Sequence, residues 1–196
     1  MENYDKYAEL TRAGDWAGIC TINGVPYRAF GSRKEVKVLA KYLEPDEVVF
    51  ALSSGAMSIA ETTNKSNSRA NSWLVALTSG RILFLRAAFL TSAVDVQSIQ
   101  YSRIQAVSAS QGWMVGRIMI DLGARIDSIE NATKASVAIF AHLANRWQKE
   151  LEARKTQPRI GTDLVFMLER LAALHDARSL SPAEFAAAKA KLLAGT

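Results

Sequence analysis

The spacing of apolar positions changes repeatedly along the chain, and each change marks an element. Over 3–13 they fall at Tyr4, Tyr7, Ala8 and Leu10, a helical spacing that ends at Gly14. Over 16–30, Ile19, Thr21, Val25 and Tyr27 flank Asn23-Gly24. That dipeptide tolerates positive φ at both centres of a two-residue turn, so the segment predicts a β-hairpin. Ser32 offers a cap to a helix over 33–42, in which Val36, Leu39 and Ala40 share a face and which Pro45 terminates. From Glu47 to about Asn131 the period becomes strand-like. Short apolar runs at 48–52, 73–77, 81–85, 93–96, 106–108, 118–121 and 125–129, parted by polar turns, predict a small barrel or curled sandwich. In the run 73–77, Trp73, Val75 and Leu77 alternate with Leu74 and Ala76, so both faces are apolar and both are expected to be covered. The stretch 61–72, ETTNKSNSRANS, nearly lacks apolar side chains and reads as a mobile loop.

Helical spacing returns over 133–151, where Val137, Phe140, Leu143, Ala144, Trp147 and Leu151 form one stripe. Such a helix is expected to plug an open end of the barrel. The segment 152–161, with Arg154, Lys155, Pro158, Arg159 and Gly161, reads as an extended basic linker. Two short amphipathic helices fill 162–196. The second opens on Ser181-Pro182-Ala183-Glu184. There serine caps free N–H groups, proline presets the first turn, and the glutamate reaches back to complete a capping box. A pair of about 30 residues buries too little apolar area to offset its own ordering entropy. Leu164, Leu168, Leu171, Leu174, Phe185, Leu192 and Leu193 are therefore expected to meet a second surface. The predicted class is α+β. An N-terminal helical and hairpin extension (1–43) precedes a seven-stranded antiparallel body with its capping helix (44–152), a linker (153–161) and a two-helix hairpin (162–196).

A hydrophobic fraction of 49% supports a real core. The net charge of +5 is spread along the chain rather than gathered in a stripe, which argues against nucleic acid and leaves an anionic membrane surface as the alternative to a protein partner. One cysteine, Cys20, and two histidines, His142 and His175, provide neither a disulfide nor a plausible metal set. The start MENYDKYAEL lacks the basic and apolar regions of a signal peptide, and the greasiest strip, 82–90, is broken by Arg86 and falls far short of the ~20 residues of a membrane span. The expected location is the cytoplasm. No nucleophile elbow, phosphate-cradling glycine loop or Ser-His-Asp set is visible, and Asp95, Asp121 and Asp127 read as outer-face solubilisers. Neither a catalytic centre nor a cofactor nor a small-molecule substrate is expected.

Two kinds of surface stand out. Lys65, Arg69, Arg81 and Arg86 are candidates for anion or lipid-phosphate contacts, because guanidinium forks match phosphate oxygens. Trp113 and Met114, followed by Val115 between two glycines, form a candidate contact tip, and Phe89 and Leu90 pose the same question at another turn.

The hairpin Trp73-Leu74-Val75-Ala76-Leu77-Thr78 followed by Arg81-Ile82-Leu83-Phe84-Leu85 resembles that of bacterial pleckstrin-homology-like (PH-like) domains. Ile99, Ile104, Val107 and Ser108, then Gly112-Trp113 and Gly116-Arg117-Ile118, continue the likeness in the right order over 44–151. The resemblance implies a seven-stranded barrel closed by one helix and a role in protein assembly. Separately, Leu171, Leu174, Ser181, Glu184, Phe185, Lys189, Lys191, Leu192 and Leu193 resemble the short C-terminal module called SHOCT, often paired with such barrels. That likeness implies a non-enzymatic scaffold or adaptor that forms a homo-oligomer or tethers a protein. The family usually has glycine where its first helix ends. Arg178 stands there, followed by Ser179, and a different cap is expected.

Overall fold

The structure is a computed structural model. It describes residues 1–27, 33–60, 72–88, 93–156 and 160–194, apart from the side chains at 33, 59–60, 160–165 and 194. Two compact units result, Met1–Glu150 and Leu151–Thr196.

The first unit is built on one seven-stranded antiparallel sheet. Its strands are β1 (Val49–Ala60), β2 (Ser72–Thr78), β3 (Arg81–Ala87), β4 (Val94–Gln100), β5 (Ala106–Gln111), β6 (Gly116–Asp121) and β7 (Ile126–Ala132), in the spatial order β4-β3-β2-β1-β7-β6-β5. Each predicted run falls on a strand; β6 and β7 bury alternate residues, β2 is buried on both faces, and β4 buries only Ile99, beyond its predicted run. β1 turns the corner: it pairs with β2 up to Ala56 and with β7 from Ala56 to Ala60. Gly55 lies at that corner, where an added Cβ would run into the Glu130 carbonyl and the Ile129 side chain, so the close approach of β7 requires glycine. In β2 every residue from Trp73 to Thr78 is buried, as its two apolar faces predict.

Helix α4 (Lys134–Thr156) packs on the sheet and buries Val137, Phe140, Leu143, Ala144 and Trp147. Its polar side chains finish the job. Asn145 Nδ2 donates to the Val107 carbonyl, Gln148 Nε2 to Ile104 and Trp147 Nε1 to Ser79, each within 2.9 Å. The helix thus spans from the β2–β3 turn to the segment entering β5, with most of its predicted stripe buried.

The N-terminal residues are α-helical throughout their regular part: α1 (Tyr4–Ala13), α2 (Trp16–Ile22) and α3 (Arg33–Val38), the last followed by a 3₁₀ turn, Leu39–Tyr42. The expected hairpin at 16–30 is therefore corrected. Asp15 caps α2 by accepting from the Gly18 N–H at 2.8 Å, and Trp16, Ile19 and Cys20 form its buried face. Gly24 (φ 64) ends it, with Gly24 N–H bonded to Thr21 O and Val25 N–H to Cys20 O. Asn-Gly serves here as a left-handed helix stop rather than a hairpin turn.

These helices belong to the core. Register slips between Val49 and Ala51, and side chains from the first two helices take the backbone groups there: the Val49 N–H donates to Thr11 Oγ1 at 3.0 Å, and Asn23 Nδ2 donates to the Phe50 carbonyl at 2.8 Å. Tyr7 Oη donates to Asn23 Oδ1 at 2.6 Å. Tyr4, Tyr7, Phe50 and Trp147 form one aromatic cluster, with Tyr4 stacked on Trp147 and Phe50 4.9 Å from Trp147.

The second unit contains the end of α4, then α5 (Ile160–Asp176) and α6 (Pro182–Ala194), which pack on each other. Of the segment expected to be an extended linker, 153–156 are instead the last turn of α4, where Arg154 and Lys155 favour the negative end of the helix, 160–161 belong to α5, and 157–159 lie outside the described residues. Arg178 overturns the third expectation. It adopts φ 55 itself, with Arg178 N–H to His175 O and Ser179 N–H to Leu174 O, so the glycine-type stop is kept without the glycine.

Candidate functional site

Arg81 begins β3, three residues after Thr78 ends β2. Its guanidinium closes on Glu47, with Nε to Oε1 and Nη2 to Oε2 both at 3.1 Å. Nη2 also donates to Tyr42 O at 2.9 Å, and Nη1 lies 3.2 Å from Glu44 Oε1. The Glu47 carboxylate in turn accepts from Thr78 Oγ1 at 2.5 Å and the Glu44 N–H at 2.8 Å. Only 4% of the Glu47 side chain and 14% of Arg81 reach solvent. Thr78 completes the staple by accepting from the Arg81 and Gly80 N–H groups. Beside it Tyr101 donates to Thr78 O at 2.7 Å, and burial, then the Glu47 charge, push its phenol above the ordinary range.

Arg86 is engaged too: it ion-pairs with Asp95 on β4 and lies 4.9 Å over the Trp73 ring. Of the three guanidinium forks proposed for anions, the two described ones thus face a carboxylate of this chain. Lys65 and Arg69, together with Phe89 and Leu90, lie outside the described residues.

Asp127, read from sequence as an outer-face solubiliser, points inward and is 1% exposed. It stands opposite Ile120 on β6 and Ile59 on β1, so the strand alternation puts it on the core face. Arg125 meets it from the preceding turn, Nη2 to Oδ2 at 3.2 Å. Arg125 Nε and Asp127 Oδ1 also lie 3.2 Å apart, but off the angle of a hydrogen bond, so each is paired by charge alone. Burial raises the Asp127 carboxyl above its ordinary range, with the Arg125 charge opposing. Cys20 is buried, and desolvation pushes its thiol up to about 12. Among the described residues no cluster of His, Cys, Asp and Glu could hold a metal ion, and no helix is long and apolar enough to cross a membrane.

The apolar surface is concentrated in two places. At the β5–β6 apex the Gly112 N–H bonds to Val115 O at 2.9 Å, and Gly116 tucks under Val137 of α4, leaving no room for a side chain. Between them Trp113 is 90% and Met114 74% exposed. In the helical pair, Phe166, Met167, Leu174 and Leu193 are exposed, Leu168, Phe185 and Leu192 are half-buried, and Leu171 is buried. Leu164 lies in α5, where side chains are not described. His175 packs on Phe185 at 4.7 Å. The capping box forms as spelled: the Ser181 N–H donates to Glu184 Oε2 at 2.9 Å, and the Glu184 N–H donates to Ser181 Oγ at 3.3 Å. The Ser181 N–H bond, then the Ser181 Oγ hydroxyl donating to Glu184 Oε2 at 2.7 Å, hold the Glu184 carboxyl below its ordinary range.

Sequence patterning missed the roles of Glu47, Thr11 and Asn23 in binding distant backbone and side-chain groups; an acid just ahead of the first strand and a threonine on the first helix were the available signals.

The chain matches the family described as bacterial PH domain over residues 43–146, just over half its length. No curated protein matches it. Among solved structures it is similar to the pleckstrin homology domain of USP37 (12% identity, TM-score 0.36, covering 50% of this chain and 97% of that one). It is likewise similar to the Vps36 N-terminal PH domain (13%, 0.41, covering 57% and 86%). A third likeness is to the C-terminal domain of a Leishmania infantum protein (16%, 0.32, covering 59% and 93%).

Proposed function

We propose that this chain, which belongs to the bacterial PH domain family, is a non-enzymatic scaffold whose C-terminal helical pair joins it to a second copy of itself or to a protein partner. The family and fold are typically non-catalytic, and serve in general as protein- or lipid-binding scaffolds. The observation that carries the reading is the state of α5 and α6. Phe166, Met167, Leu174 and Leu193 are exposed, and Leu171 alone among their described residues is buried. One buried leucine contributes about 1.5–3 kcal/mol, whereas ordering each residue costs about 1–2 kcal/mol. A further surface is needed to hold the pair together. The resemblance of 171–193 to SHOCT hairpins supports the same conclusion.

Light scattering on the full chain tests it. The expected result is a mass above one subunit that falls when Phe166→Ser and Leu193→Ser are combined, with the circular dichroism of the sheet unchanged. A full chain that is monomeric at high micromolar concentration overturns self-association and leaves the foreign partner. Phospholipid binding through a basic pocket has weaker support, because Arg81 and Arg86 each face a carboxylate.

A further inference from the structure

We propose that the β5–β6 apex is an interfacial membrane anchor, with Trp113, Met114 and Val115 entering the headgroup layer of an anionic bilayer without a stereospecific headgroup pocket. This stands independently of the helical pair.

Exposure is the first ground. A tryptophan at 90% exposure touches almost nothing of its own chain, and Met114 beside it is 74% exposed. Isolated apolar side chains on a surface need no explanation, but three consecutive ones at the apex of a hairpin form a protruding patch. Shape is the second ground. A stable protein interface buries about 800 Å² on each partner. The strand behind the apex offers Ser108, Ala109, Ser110 and Gln111, all exposed and none a large apolar side chain. A convex tip with polar flanks suits a soft, deformable layer better than a complementary protein face. Tryptophan's amphipathic ring, with its N–H donor, is the side chain favoured at that depth. Charge is the third. Arg117 is neutralised by Glu130 at 3.2 Å, but Lys134 begins the helix beside Gln111, whose Nε2 donates to the Lys134 carbonyl at 3.3 Å. Lys134 and the net charge of +5 favour anionic lipid.

The chain supplies its own probe. Of its four tryptophans, Trp16, Trp73 and Trp147 are buried, so a change in emission on adding vesicles reports Trp113. The full chain is titrated with phosphatidylcholine vesicles containing a minority of phosphatidylglycerol, and emission, quenching by brominated lipid and co-sedimentation are followed. The expected result is a blue shift, quenching by lipid brominated near the headgroup, and weakening as salt rises. Trp113→Ser with Met114→Ser lowers the partition coefficient by about tenfold or more, a change of ~1.4 kcal/mol. Because both side chains are exposed, the double variant is expected to keep the wild-type melting curve. Unchanged emission with anionic vesicles overturns the proposal, as does co-sedimentation indifferent to the substitutions. Competition by soluble glycerol phosphate would show a headgroup pocket instead and would also overturn it. If vesicles leave emission unchanged while the double variant loses self-association, the tip is a protein contact and the anchor is refuted.

Discussion

Changing Glu47→Gln removes a charge without changing shape, and the surroundings allow no good orientation for the new amide. In one orientation the NH₂ faces Arg81 Nη2 and the Glu44 N–H; in the other it faces Arg81 Nε. Either way a donor meets a donor, and the guanidinium loses its counter-charge in a site where only 14% of it is exposed. Breaking a buried pair from one side costs about 3–5 kcal/mol. The low end applies here, since Arg81 keeps Tyr42 O at 2.9 Å and Glu44 at 3.2 Å. For a unit of this size, ~3 kcal/mol corresponds to a fall in Tm of about 6–12 °C. Thermal unfolding of the full chain, followed by circular dichroism, measures this. Combining Glu47→Gln with Arg81→Met closes a double-mutant cycle whose expected coupling is about 2 kcal/mol, because the second change removes the charge that the first left unpaired. A Glu47→Gln protein that melts within a degree of wild type, or an additive cycle, refutes the reasoning and would return Arg81 to the anion-binding candidates.

Asp127 gives a pH-dependent prediction. Its carboxyl is raised by burial, so the folded state holds the proton more readily than the unfolded state, and stability falls as pH climbs from the ordinary carboxylate value of about 3.9 through the higher folded value. Asp127→Asn is therefore expected to raise Tm at pH 7, with the gain shrinking towards pH 4; a gain independent of pH, or a loss at pH 7, contradicts this. Arg178 holds a left-handed conformation that costs a non-glycine residue about 1–2 kcal/mol. Glycine there gives back part of that through its looser unfolded state, so Arg178→Gly should stabilise the α5–α6 pair by ~1 kcal/mol and slow its amide exchange about fivefold, and unchanged exchange would count against the left-handed cap.

Strands were the legible part of this sequence, because a period of two with one buried face is a local signal. The capping box at Ser181 was equally local, and it formed as spelled. Asn23-Gly24 was misleading for a physical reason. The dipeptide specifies a left-handed residue, and a hairpin turn and a helix stop use that residue alike. What decides between them is distant: the Asn23 amide bonds Phe50, 27 positions away, and Tyr7 bonds Asn23 across 16. The partner of Arg81 was hidden in the same way, since Glu47 lies 34 positions earlier. At the apex, sequence supplied the residues but not their exposure, because whether Trp113 folds back or points outward is set by contacts that no local pattern records.

The motif that carries the family resemblance therefore has a structural explanation. Thr78 and Arg81 bracket the β2–β3 turn, and with Glu47 they tie the entrance of β1 to that turn in a satisfied, nearly dry network. The Arg81 guanidinium is directed at carboxylates and a carbonyl of its own chain. Asn145 and Gln148 similarly use their amides on carbonyls of Val107 and Ile104 that the β5–β6 ladder leaves to other donors. With these polar groups spent on holding the sheet and its helix together, the proposed contacts use side chains the fold does not need, at the Trp113 apex and on α5 and α6. Because they contribute little to the barrel's own stability, substitutions at Trp113, Phe166 and Leu193 should alter association while leaving its melting temperature near wild type. Substitutions at Glu47 and Arg81 should do the reverse.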